Sequence, residues 1–157
     1  MSEPDVVIKS VPAVRVAESS SWAVGFESQA ISPVIGPLFS ELSDRLEKAG
    51  IAIAGPALAW YDRRDDGTVG VHACVPVAVE PAAAPDFSIV ELPPLAQVAS
   101  TVYRGNVNGI GAAWQALTRW VADNGFSTGA PCREVTLEWT PDPNGWVTEL
   151  QQPLVPK

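Results

Sequence analysis

The chain repeats itself. "GIAIAGP" and "GFSTGAP" align with Gly50 on Gly125 and Pro56 on Pro131, each pair 75 residues apart. Further on, "VHACVPV" aligns with "VTELQQPL" through Pro76 and Pro153, 77 residues apart, which a longer second hairpin absorbs and which sets Glu149 on His72. Modules of this size do not bury their apolar faces alone, so a duplication constrains the chain to two halves that pack about a pseudo-twofold axis. The 157 residues read as one domain, with repeat one over about residues 5–80 and repeat two over about 86–155.

Each repeat reads strand, helix, strand, strand. "DVVIKSVPAVRVAE" (Asp5 to Glu18) is rich in β-branched residues and is predicted as a strand. In "ISPVIGPLFSELSDRLEKAG", Leu38, Phe39, Leu42 and Leu46 recur at helical spacing; Ser32-Pro33 or Gly36-Pro37 opens this helix and Gly50 ends it. "GPALAWYDRR" and "TVGVHACVPV" form a hairpin across "RRDDG". The second repeat has a strand in "FSIVELPPLAQVASTVYRG", interrupted at Pro93-Pro94. Its helix carries the stripe Ile110, Ala113, Trp114, Leu117 and Val121, capped by Asn106 or Asn108 and stopped by Asn124-Gly125. "CREVTLEW" and "GWVTELQQPL" complete its hairpin. Helices on one side of antiparallel sheets give an α+β class and leave the other sheet face to solvent, to a partner, or to an inward-folded cleft.

Composition removes several functions. The formal charge is −8 with no basic run beyond Arg63-Arg64, so direct nucleic-acid binding by this chain is not expected. Cys74 and Cys132 lie far apart in apolar surroundings, which suits small buried hydrophobes better than a metal site. The N-terminus lacks the pattern of a secretory signal, and no apolar run approaches the ~20 residues of a membrane span. A cytoplasmic protein without membrane association is expected. No phosphate-binding loop or dinucleotide fingerprint is present, and His72 is the only histidine, so no metal or cofactor is expected. A Ser-His-Asp relay would have to use His72, and no GxSxG turn presents a nucleophile.

The closing segment holds the candidate site. Strand alternation puts Val147, Glu149 and Gln151 on one side, so Glu149 shares its side with another polar group. It faces either solvent on an edge strand or a pocket. Alternation places Trp60 and Tyr61 on opposite faces, so one of them, not both, enters a shared cleft. It also groups Glu134, Thr136 and Glu138. A carboxylate among aromatic rings suits a flat lipophilic cation. In an apolar cleft, desolvation would raise the pKa of Glu149 and make it a general acid or a base for water.

Taken in order, "VPAVRVA", "GPALAWYD", "VHACVPV", "VASTVYRGNVNGIGAAWQALTRWVADNG", "REVTLEW" and "WVTELQQPL" resemble the GyrI-like, AraC-type effector-binding domain over nearly the whole chain. The resemblance implies antiparallel sheets forming a central ligand cleft, helices on the outer side, and bulky aromatic or cationic small-molecule ligands. Glu149 looks like the family's central glutamate and Tyr61 matches a position that is often tyrosine; its repeat mate is Thr136, where relatives frequently carry another tyrosine. Glu134 and Glu138 are rivals to Glu149. The remaining expected ligand contacts are Trp60, Tyr103, His72 and Gln151. No flanking helix-turn-helix is expected, and a stand-alone binder that senses or sequesters multidrug-type ligands, with a link to transcription regulation as a further option, is the leading expectation. Stand-alone relatives also include protein inhibitors and glutamate-dependent hydrolases of cyclopropane-bearing toxins; an enzyme here would use Glu149, with Tyr61 or Tyr103 holding developing charge.

Overall fold

The computed structural model describes residues 5–25, 28–78, 82–83, 87–129 and 131–156. In chain order its elements are β1 (Val7–Val11), β2 (Val14–Ala23), α1 (Ser28–Ala49), β3 (Leu58–Arg63), β4 (Val69–Pro76), β5 (Ala82–Ala83), β6 (Ser88–Leu92), β7 (Leu95–Arg104), α2 (Ile110–Asp123), β8 (Phe126–Thr128), β9 (Arg133–Glu138) and β10 (Val147–Pro156). The strands pair antiparallel and the helices are separate from them, which is the expected α+β class. Among the described residues, no helix is long and apolar enough to cross a membrane.

The chain forms two compact units, one of Pro12–Pro94 and one joining Met1–Val11 to Leu95–Lys157. Both crossings fall at prolines. Asp5 to Glu18 was expected as a single strand, but it breaks at Pro12: β1 pairs with β7 in one unit and β2 with β4 and β6 in the other. A proline offers no N–H to a strand ladder, so pairing stops there. Pro93 and Pro94 separate β6 from β7 in the same way.

In the Pro12–Pro94 unit the strands run β3–β4–β2–β6–β5. Leu42 and Leu46 of α1 close on Ala17, Val75, Val77 and Ile89, while Ile31, Val34, Ile35 and Leu38 cover Ala23, Val69 and Val71. This second cluster explains why α1 begins at Ser28, before both predicted openings. Pro33 and Pro37 lie inside the helix, each removing a backbone hydrogen bond, and the apolar contacts around them hold the turn they would otherwise break. The helix ends at Gly50, whose φ of 72° suits glycine and allows Ile51 N–H to reach back to the Leu46 carbonyl at 3.0 Å.

In the other unit the strands run β1–β7–β10–β9, with β8 on the last residues of β10. Leu117 and Val121 of α2 pack on Ala99, Leu150 and Leu154, and Ile110, Ala113 and Trp114 border them, as the sequence stripe predicts. Neither asparagine caps α2: its N-cap is Gly109, and Asn106 Oδ1 instead accepts from Asn108 N–H within the preceding 3-10 turn, Val107–Gly109. A side chain at Gly109 would collide with the Tyr103 hydroxyl, which donates to the Asn106 carbonyl at 2.5 Å.

Strand register carries the repeat into three dimensions. Trp60 pairs with His72 and Leu58 with Cys74; in the other unit Val135 pairs with Glu149 and Arg133 with Gln151. Glu149 and His72 therefore occupy equivalent places in their own sheets. Replacing Leu150, which is fully buried under α2, by alanine is expected to lower the unfolding free energy by about 2–5 kcal/mol in denaturant titration.

Candidate functional site

Leu150 and Leu154 face α2, so alternation sends Glu149 and Gln151 to the helix-free face of their sheet. Glu149 is buried, 7% exposed, and three donors hold it. Lys9 Nζ on β1 and Ser100 Oγ on β7 each approach Oε2 at 2.5 Å, and Gln151 Nε2 donates to Oε1 at 3.1 Å. Val102 and Val135 flank it directly across the two neighbouring strands. Val102 and nearby Val7 are exposed, giving the carboxylate an apolar border.

The expected rise in the Glu149 pKa is reversed. Burial pushes it up and is the largest single influence, but Lys9, Ser100 and Gln151 together outweigh burial and hold the carboxyl below its ordinary value. Glu149 is a persistent anion rather than a poised acid. Gln151 is also buried, and its Oε1 has no donor among the described residues. Its Nε2 must face the carboxylate, which fixes the amide and leaves that oxygen for another donor.

The same unit holds a cavity of about 440 Å³ along the end of β7, lined in part by Val7, Ser100, Val102, Tyr103, Ala113 and Ala116. Ser100 thus touches both the cavity wall and Glu149. Tyr103 reaches the cavity from the helix side, where its ring joins the α2 core.

His72 centres a second polar cluster, on the helix-free face of the Pro12–Pro94 unit. Its Nε2–H meets Asp62 Oδ2 at 2.6 Å, and its Nδ1 lies 3.1 Å from Glu18 Oε1 and 2.8 Å from Ser20 Oγ. The ring stacks on Trp60 with centroids 3.6 Å apart and planes 1° from parallel. The Trp60 indole N–H donates to Glu18 Oε2 at 3.2 Å. Gly70 makes this possible: it pairs with Asp62, and a Cβ there would come within 2.4 Å of the Asp62 carboxylate. Burial acts most strongly on His72 and lowers its pKa, yet hydrogen bonds and charge from Glu18 and Asp62 raise it above 6.5 overall. With a carboxylate at each nitrogen, the ring is built to be an imidazolium.

The other predicted residues lie elsewhere. Tyr61 packs on the α1 side against Ala23, Val69 and Val71, so Trp60 is the ring on the helix-free face. Glu134 accepts the Trp114 indole N–H at 2.7 Å and so faces α2, and Thr136 follows it by alternation, paired with Thr148. Glu138 does not align with them, because the β9–β10 register shifts between Val147 and Thr148 and pairs Glu138 with Val147. Glu134 is thus turned away from the Glu149 cluster, while Glu138 lies opposite Val147, two residues along β10 from Glu149. The sequence reading missed Lys9, Ser100, Glu18, Asp62 and Gly70. A lone lysine in the apolar run "DVVIKSV" was the one signal available for Lys9.

The His72 cluster makes stability depend on pH. Folding raises the His72 pKa, so its contribution is full below the unfolded value near 6.5 and is lost as pH rises through the folded value. Glu18 is held below 4.5, by His72 and Trp60 against burial, so its contribution is lost as pH falls through its folded value. Titration of the single imidazole by NMR should give a pKa above 6.5, and Gly70→Ala, which displaces Asp62, should lower it. An unchanged value in Gly70→Ala would refute the role given to Asp62.

No curated protein sequence matches this chain. Solved structures share its fold at low identity. The EcmrR C-terminal domain superposes with a TM-score of 0.78 at 18% identity, covering 98% of this chain and 99% of that one. Against EcmrR in its cryo-EM DNA complex the TM-score is also 0.78, at 20% identity, and the match covers 98% of this chain but 58% of that chain. SAV2435 bound to tetraphenylphosphonium aligns with a TM-score of 0.68 at 11% identity, over 96% of this chain and 94% of that one. A hydrolase from Listeria innocua gives 0.64 at 10% identity, over 99% and 94%. These likenesses establish the fold, and the model of the GyrI-like small molecule binding domain matches residues 4–155: the chain belongs to the GyrI-like family.

Proposed function

We propose that this domain binds lipophilic aromatic cations and senses or sequesters them, with Glu149 as the charge partner. The observation that carries this reading is a carboxylate held ionised on a sheet face with little access to water. Such a group attracts a cation far more strongly than an exposed one does, because neighbouring water no longer screens it. A lipophilic cation loses less hydration on entering than a small ammonium does, and Val7 and Val102 offer it apolar contact. Gln151 Oε1 is available to any ligand that also carries an N–H. The tetraphenylphosphonium bound to SAV2435 is a ligand of this chemistry on the same fold. Coupling to a transcription regulator, as the likeness to EcmrR invites, would be a further step for such a binder.

A lowered pKa favours charge pairing over proton transfer. As a general acid Glu149 would be deprotonated at neutral pH, and as a base it would be weak. Titrating intrinsic tryptophan fluorescence with tetraphenylphosphonium should give saturable binding. Glu149→Gln preserves shape and removes charge, and should weaken binding roughly tenfold to hundredfold, the range for a lost charge-assisted contact. Equal affinity in the variant and the parent would rule out the role given to Glu149.

A further inference from the structure

We infer that Lys9 is a built-in competitor for the ligand: its ammonium occupies the place on Glu149 that a bound cation takes, and binding requires Lys9 to swing out. Lys9's role presupposes Glu149 as the ligand's charge partner. The two ends of this ion pair differ in freedom. The Lys9 side chain is 43% exposed and the Glu149 side chain 9%. Lys9 also sits on β1, which pairs only with β7 among the described residues. Its four-carbon stem can carry the charge into water without moving backbone, and a hydrated ammonium is well accommodated there.

Glu149 stays behind. Ser100 holds Oε2 and Gln151 holds Oε1, from β7 and from β10 itself, and neither bond involves Lys9. The carboxylate is therefore left in position, with one donor removed, and an incoming cation replaces that donor. The exchange conserves charge at the site, so the net gain comes from the ligand's apolar surface against Val7 and Val102. Small hydrated cations gain nothing over Lys9 and are rejected, whereas bulky lipophilic ones displace it. Lys9 thus sets the threshold that separates the two.

The test compares the parent, Lys9→Met, Lys9→Arg and Glu149→Gln at pH 8, with tetraphenylphosphonium and the neutral triphenylphosphine oxide as probes. Lys9→Met should bind tetraphenylphosphonium about two- to fivefold more tightly, the size expected for removing a partly exposed competing pair. Neutral-probe affinity should not move, and Lys9→Arg should stay near the parent. If Glu149→Gln weakens cation binding while Lys9→Met leaves it equal or weaker, Lys9 is not a competitor and the Glu149 reading stands. If no protein shows cation binding that depends on Glu149, both fail. Should Lys9→Met not fold, acetylation of the parent decides. Tetraphenylphosphonium should speed acetylation of Lys9 relative to Lys48, located by peptide mass spectrometry, and an unchanged ratio would overturn the inference.

Discussion

Leu150 and Leu154 bury under α2, and that contact dictates where the chemistry goes. A strand cannot turn two neighbouring side chains to one face without breaking its ladder. Anchoring the leucines therefore forces Glu149 and Gln151 to the helix-free face, together with their cross-strand neighbours. Lys9 and Ser100 are needed there because a carboxylate removed from water must find replacement donors. Core packing on one face and a charged cluster on the other are two consequences of one constraint.

The equivalent position in the other unit shows a related solution with different residues. His72 replaces Glu149, and the polarity is inverted: a cation held between Glu18 and Asp62 and stacked on Trp60, instead of an anion held by Lys9. Both clusters pair their charges internally. In the Glu149 cluster the satisfying group is itself partly exposed on a four-carbon stem, and the proposed exchange rests on this. In the His72 cluster the cation is a short, stacked ring held at both nitrogens. This contrast supports the proposal that Glu149, and not His72, receives the ligand's charge.

Much of the fold was legible because hydrophobic period reports packing directly. The α2 stripe, the two hairpins and the glycines that end both helices all follow from local pattern, and Gly50 and Gly125 have φ of 72° and 83°. The failures have local causes too. Pro33 and Pro37 read as a helix opening, but apolar contacts carry α1 past them. Pro12 was read through as strand interior, although it marks the passage from one unit to the other. At the site, alternation placed Glu149 beside Gln151 and separated Trp60 from Tyr61, but alternation names no cross-strand neighbour. Ser100 and Lys9 come from strands about 50 and 140 residues away in sequence, and only register brings them to Glu149. The pKa expectation failed for the same reason, since desolvation was visible in the sequence and its compensating donors were not.

The central claim is that Glu149, already an anion, exchanges an internal cation for an external one. A crystal structure of the complex with tetraphenylphosphonium tests it most directly. The account predicts the phosphonium against Glu149 and Val102, with Ser100 and Gln151 still bonded to the carboxylate and Lys9 Nζ withdrawn into solvent. A ligand bound away from Glu149, or beside it with the Lys9 ion pair intact, would contradict the account.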